Sequence, residues 1–217
     1  MATPPQQARS IATEQKMLDA AEELLKGGDS RQVTLENVVK LSGASVGSFY
    51  ARFGSVEGLF EALRNRYRNV MYQSAIDQGH ERALQQTDLK SALHQACKTT
   101  LELARKEHTA ISYLLMHPSD NQEPLVEQRR LMVEELHQIL KLHRKEIKQK
   151  DLRRASENIS RMAHAMWVHL ALMEPSEFVG RKTSLSSVIE LTTDMAYAYL
   201  TTEKLFHATE LRVPNVY

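Results

Sequence analysis

The stretch TLENVVKLSGASVGSFYARFGSVEGLF, residues 34–60, decides the fold. It reads as a short helix, a three-residue turn, a second short helix and the start of a longer one. The Thr34 hydroxyl can accept an orphan amide of the first helical turn, which leaves Val38 and Val39 facing inward. Ser42-Gly43-Ala44 supplies the break, since glycine tolerates the left-handed backbone on which such a helix commonly ends. Ser45 caps the next helix. Phe49 and Phe53 lie four apart on its apolar side, and Val46, Ser48, Tyr50 and Arg52 are left for the outer one.

Two short helices around a glycine-containing turn make a helix-turn-helix, whose second helix can lie in the major groove of DNA. Gly47 points the same way. A mid-helix glycine costs roughly 1 kcal/mol against alanine, so a helix this short should avoid it unless something needs the missing side chain. Close approach of a DNA backbone is one such need.

The spacing G-A-S-x-G-x-F-Y-x-x-F-x-S-x-E-x-L, running from Gly43 to Leu59, resembles the DNA-binding signature of the TetR family, the tetracycline-repressor-like bacterial regulators. The detailed match covers the first third of the chain; the rest agrees in length and helical content. The resemblance implies an all-α protein of about nine helices, with a small three-helix helix-turn-helix domain and a larger helical ligand-binding and dimerisation domain. It implies Thr34 and Tyr50 as phosphate partners, and Ser45, Val46, Gly47, Ser48 and Arg52 as base-edge or backbone contacts. Thr34, Ser45 and Ser55 are helix caps with or without DNA, and Tyr50 reads equally as a half-exposed aromatic. Val56 departs from the pattern, because many members carry a lysine there beside the phosphates; the helix N-terminus can still offer amides to a phosphate. Ser42 stands where alanine is usual.

Composition sets the outer bounds. With 217 residues, 42% of them hydrophobic, the chain can bury the core of one helical domain and a small appended one. The formal net charge is +1, and Met1 to Tyr72 holds nine Lys/Arg against eight Asp/Glu, so bulk charge does not announce a nucleic-acid partner. Local placement of Lys40, Arg52 and helix termini must then hold DNA. A single cysteine, Cys97, excludes an internal disulfide and fits a reducing cytosol. MATPPQQARS lacks a hydrophobic signal core, and no run of about 18 apolar residues is present to span a bilayer, so a cytoplasmic protein is expected.

Residues 1–9 read as a disordered arm, 10–54 as the helix-turn-helix domain and 55–217 as the ligand-binding and dimerisation domain. The first helix is expected over 10–26, with Ile11, Met17, Leu18, Ala21, Leu24 and Leu25 inside. Ser55 opens a fourth helix to about residue 75, carrying Leu59, Phe60, Leu63, Tyr67, Val70 and Met71 as one stripe from the small domain into the large one. Residues 79–88 read as a connection. Five helices follow, at about 89–106, 109–117, 122–149, 152–174 and 183–206, two of them stopped by Pro118 and Pro175. In the 122–149 helix, Met132, Leu136, Leu140, His143 and Ile147 make the inner line. The basic stretch from Lys141 to Arg154 reads as a solvated helix end rather than a second DNA contact.

The last two helices carry apolar residues on more than one side. On the first these are Ile159, Met162, Ala163, Met166, Trp167, Leu170, Ala171 and Met173; on the second, Leu185, Val188, Ile189, Thr192, Met195, Ala196, Tyr199 and Leu200. The family resemblance implies a homodimer through these helices. Two reading helices would then enter successive major grooves about 34 Å apart on an inverted-repeat, double-stranded operator.

Candidate lining residues for an effector are Tyr67, Met71, Leu101, Tyr113, Met116, Met132, Leu136, Met166, Trp167 and Leu170. Nine methionines and one tryptophan suit an adaptable apolar cavity, and a plain core equally. His164 with His169, His137 with His143, and His94 with Cys97 raise a metal-responsive regulator, yet no pair completes a two-plus-two ligand pattern. No metal or other cofactor is assigned. Nucleophile elbow, Walker loop, HExxH and ExxH signatures are all missing, which argues against an enzyme. The reading is therefore a homodimeric repressor released by a small hydrophobic effector. A helical ligand-binding adaptor without DNA binding is the alternative.

Overall fold

A computed structural model describes residues 6–27, 30–72, 79–116, 118–119, 121–173 and 183–203. The first five residues of the expected arm, and the ends of the expected helices beyond residues 72 and 203, lie outside them, as does Pro175. Ten α-helices occur among the described residues, and no strand: α1 Gln6–Lys26, α2 Leu35–Ser42, α3 Val46–Phe53, α4 Val56–Tyr72, α5 Glu81–Leu84, α6 Leu89–Lys106, α7 His108–Met116, α8 Glu123–Leu142, α9 Leu152–Leu172 and α10 Leu185–Thr201. None is long and apolar enough to cross a membrane.

The N-terminal helix-turn-helix unit closes around one apolar cluster. Met17, Leu18, Ala21 and Leu25 of α1, Val38 of α2, Phe49 of α3 and Leu59, Phe60 and Leu63 of α4 are buried together, with Leu24, Val39 and Phe53 packed at its margin. Helix α1 begins at Gln6, four residues ahead of the expected start, so residues 6–9 are helical. Ile11, expected inside, is exposed, as is every residue from 8 to 12. This end of α1 runs past the cluster, and periodicity cannot tell where a helix outruns its neighbours.

In the larger domain α10 packs on α6 and α9, α6 on α9, and α8 on α9. Cys97, Leu101, Ala104, Ile111, Trp167, Leu170, Ala171, Val188 and Ile189 form one buried cluster; Leu89, Leu93, Leu140, Ile147, Ala155, Ile159, Ala196 and Leu200 form another. Two further departures from the sequence reading stand out. The connection 79–88 contains the short α5, whose Ala83 is buried beside Ala92 and Ile139. Helix α8 stops at Leu142 instead of continuing to 149, and residues 144–146 make a 3₁₀ turn.

The cause of that stop is tertiary. Glu146 accepts the Leu89 amide at 3.0 Å and so serves the start of α6, while the Lys148 amide donates to the Leu200 carbonyl at 2.8 Å. Gln149 donates through Nε2 to the carbonyls of Tyr199 and Thr202, at 2.8 and 3.1 Å. Residues 146–149 thus satisfy orphan groups at the ends of two other helices. A continued α8 would have left those groups unpaired. Ile147 is still buried, but from extended backbone.

Candidate nucleic-acid interface

Three of the four ends of the α2–α3 pair are fixed by the residue the sequence placed there, and the fourth by Gly54, which the sequence reading did not assign. Thr34 Oγ1 accepts the Asn37 amide at 3.2 Å and opens α2; Gly43 closes it at φ 67°. Ser45 Oγ accepts the Ser48 amide at 3.1 Å and donates to Ser48 Oγ at 3.0 Å. Gly54 ends α3 at φ 68°, and Ser55 Oγ accepts the Gly58 amide at 3.0 Å to open α4. Positive φ at Gly43 and Gly54 is where the two reversals of chain direction need a residue without Cβ.

Helix α3 is held by one face and free on the other. Phe49 is fully buried, edge-on to Phe53 with ring centroids 5.2 Å apart and to Tyr50 at 5.8 Å. Val46 and Tyr50, one turn apart, are 49% and 53% exposed, and Thr34, Ser45 and Gly47 are exposed beside them. Ser48 is half-buried. A Cβ built on Gly47 would meet nothing closer than Ser45 Oγ at 4.0 Å, so no intramolecular contact requires the glycine. Arg52 is committed inward. Its Nε and Nη2 donate to the Ser10 carbonyl at 3.2 and 3.1 Å, Nη2 also reaches Ser10 Oγ at 3.1 Å, and Nη1 donates to the Ser48 carbonyl at 2.9 Å.

Two residues at this site escaped the sequence reading. A Cβ on Gly58 would sit 1.8 Å from the Phe53 carbonyl oxygen, so the first turn of α4 lies directly against the end of α3. A glycine inside a helical pattern was the available signal. Ser10 had none, because its partner Arg52 lies 42 residues away.

The helix-turn-helix unit joins the larger domain where α1 packs on α7 and α4 on α8. Arg66 of α4 pairs with Asp19 at 2.5 Å and Glu22 at 3.2 Å on α1. Burial raises the Glu22 carboxyl above its ordinary range, against the pull of Arg66. Burial also raises the Tyr67 phenol, with Glu22 and Glu107 adding to the effect. Tyr113 of α7 packs its ring, tilted, against Phe60 of α4 with centroids 5.1 Å apart, and α7 packs on α1.

The expected effector-lining residues are divided among these regions. Leu101, Trp167 and Leu170 are buried in one cluster with Met166 at its edge; Leu136 packs on another, and Tyr113 on the core of the reading head. Tyr67 is buried on α4 and Met132 half-buried on α8. The side chains of Met71 and Met116 lie outside the described residues. Trp167 Nε1 is buried and makes no hydrogen bond among the described residues, while His164 stacks on its ring at 5.5 Å. A groove of about 390 Å³ between α6 and α10 is lined by Lys90, Ser91, His94, Glu190, Thr193 and Asp194, none of them among the ten.

The histidines are engaged separately: His137 with Ser156 Oγ, His143 with Glu146, and His164 with Arg129. Among the described residues no three His, Cys, Asp or Glu side chains gather as metal ligands. Cys97 is buried and unpaired in a disulfide, and burial pushes its thiol up to about 11.

Residues 17–63 match the family model described as bacterial regulatory proteins, tetR family. No curated protein matches the chain in sequence. Similar solved structures include a TetR-like transcriptional regulator from Rhodococcus sp. RHA1, 17% identical, with TM-score 0.59 over 86% of this chain and 94% of that one. A TetR family transcriptional regulator from Thermus thermophilus is 18% identical, with TM-score 0.60 over 83% and 96%. A TetR family transcription regulator from Marinobacter aquaeolei is 15% identical, with TM-score 0.61 over 90% and 98%. At these identities the likeness is one of fold, and it extends through the larger domain.

Proposed function

We propose that the protein is a homodimeric, sequence-specific DNA-binding repressor that reads an inverted-repeat operator with α3 and is released by a small, mostly apolar effector. The observation that carries this reading is Gly47. It stands as the second residue of α3, where alanine would favour the helix more, and it relieves no contact with the described residues, so an outside surface is what needs the space. Gly47→Ala is therefore expected to leave the thermal midpoint unchanged or raised while weakening operator binding. A gel-shift titration beside a melting curve checks both; equal operator affinity would remove the argument.

Residues 10–54 form the DNA-binding domain in this reading and 55–217 the sensing and dimerisation domain. Thr34 and Tyr50 hold phosphates, and Ser45, Val46, Gly47 and Ser48 approach the base edges. Tyr50→Ala is expected to weaken binding to every duplex alike, by about fivefold per half-site, the worth of one hydrogen bond. Titration against operator and scrambled duplexes at stated salt tests it, and lost selectivity at unchanged affinity would contradict the phosphate role. Salt-steep, selective binding to the chain's own upstream DNA supports the repressor. Its absence would leave the ligand-binding adaptor.

Dimerisation is supported by the outer side of the last two helices. Leu172 and Met173 at the end of α9, and Leu191 and Met195 on α10, are large apolar side chains exposed in the single chain. Met173 and Met195 were read among the apolar residues that these two helices carry on more than one side, and a second copy gives them a partner.

Release follows from the shared helix. An apolar molecule entering beside Trp167, with an acceptor for an indole N–H that has no partner among the described residues, would act on α4 through α7, whose Ile111 shares the Trp167 cluster and whose Tyr113 packs on Phe60, and alter the spacing of the two reading helices. As the sole tryptophan, Trp167 reports binding by its fluorescence. A ligand that saturates that signal without changing operator affinity would refute the coupling.

A further inference from the structure

We infer that α3 reads thymine methyl groups through Val46, and that Arg52 is a strut within the reading head rather than a reader of bases. The inference rests on the DNA-binding reading above.

Two of the polar groups expected to face DNA, the Ser45 hydroxyl at the N-cap and the Arg52 guanidinium, are spent inside the chain. A guanidinium reading guanine needs two N–H groups aimed at one base. Those of Arg52 are turned instead to the Ser10 carbonyl and hydroxyl and to the Ser48 carbonyl. Ser45 and Ser48 are bonded to each other, and Ser45 Oγ also caps the helix. At the start of α3 this leaves an exposed valine beside an exposed glycine, with Ala51 exposed a turn later. A branched apolar group at a groove-facing position finds one apolar partner on the major-groove edge, the thymine C5-methyl. Gly47 beside it lets the backbone come close enough for that contact to exclude water.

The role of Arg52 follows from where its partner sits. Ser10 belongs to the end of α1 that runs past the apolar cluster, and residues 8–12 are exposed there. The guanidinium ties that overhang to the middle of α3 and fixes the angle between the two helices.

The test uses full-length protein and a duplex it selects from a random-sequence pool. Thymines of the selected site are replaced one at a time by uracil, which removes only the methyl. One thymine per half-site is expected to lose about fourfold in affinity on replacement, the worth of one methyl taken out of water. Val46→Ala is expected to bind the thymine and uracil duplexes equally. No sensitive thymine, or undiminished discrimination by Val46→Ala, overturns the methyl contact. Guanines are replaced by 7-deazaguanine, which removes the N7 acceptor; a loss seen for the natural protein but not for Arg52→Gln would make Arg52 a base reader. Without DNA, Arg52→Gln is expected to speed amide exchange over residues 6–14, and unchanged exchange overturns the strut. If the natural protein selects no sequence at all, the regulator reading fails and Val46's role with it, whereas the exchange result still decides the strut.

Discussion

Leu191→Glu together with Met195→Glu is expected to turn the protein into a monomer and to lower operator affinity by at least about 100-fold, near 2.8 kcal/mol. The two side chains lie one turn apart on α10 and are 53% and 43% exposed, with Ala198 exposed on the same side. The opposite side of α10 holds Val188, Ile189, Thr192, Ala196 and Leu200, all buried. Glutamate at the outer positions therefore leaves the fold of the single chain intact. In a dimer it would place four carboxylates in an apolar interface, where desolvation of unpaired charge is severe. Affinity falls because one half-site contact must then bind without its tethered partner. Light scattering gives the mass and gel shift the affinity. A variant that stays dimeric would move the interface elsewhere, and a monomer that binds undiminished would end the two-groove mechanism.

Gly58→Ala is the second large effect, a destabilisation of about 2–3 kcal/mol. The added methyl would lie 1.8 Å from the Phe53 carbonyl oxygen and 2.9 Å from its carbon, both backbone atoms that no rotamer change can move. Relief requires α4 to back away from α3. The Ser55 cap on the Gly58 amide and the burial of Leu59 and Phe60 next to it resist that movement. The same helix carries Phe60 to its contact with Tyr113 of α7, so the displacement should also loosen the link to the larger domain. Chemical denaturation measures the loss, and an unchanged midpoint would mean that α4 shifts at little cost. Gly47→Ala is the matched comparison, since there the space is open and helix propensity favours alanine.

The two glycines mark how far sequence reading reaches. Both sit inside helical patterns and both cost helix propensity, so both announce a reason for being glycine. Which reason applies depends on what lies beside each Cα, and for Gly58 that is a carbonyl on a different helix. Arg52 teaches the same lesson. Its place on the outer side of α3 was legible from spacing, yet the direction of its guanidinium depended on Ser10 of α1, 42 residues earlier. The ten residues chosen as a cavity lining were apolar or aromatic and suitably spaced. Among those that are described, Leu101, Trp167 and Leu170 share one cluster, whereas Leu136 packs on another and Tyr113 on the core around Phe49, because periodicity finds the buried face of a helix without saying which neighbour covers it.

What the sequence determined by itself was local: the caps Thr34, Ser45 and Ser55, the left-handed Gly43, the inward Val38 and Phe49, and with them an all-helical chain opening on a helix-turn-helix. These depend on hydrogen bonds and backbone angles within a few residues, so a short window contains their cause. Tertiary structure alone decided where α8 stops, how far α1 overhangs, which glycine is pressed against backbone and where Arg52 points. In each case the deciding partner is distant in the chain, and only folding brings it within hydrogen-bonding or contact range.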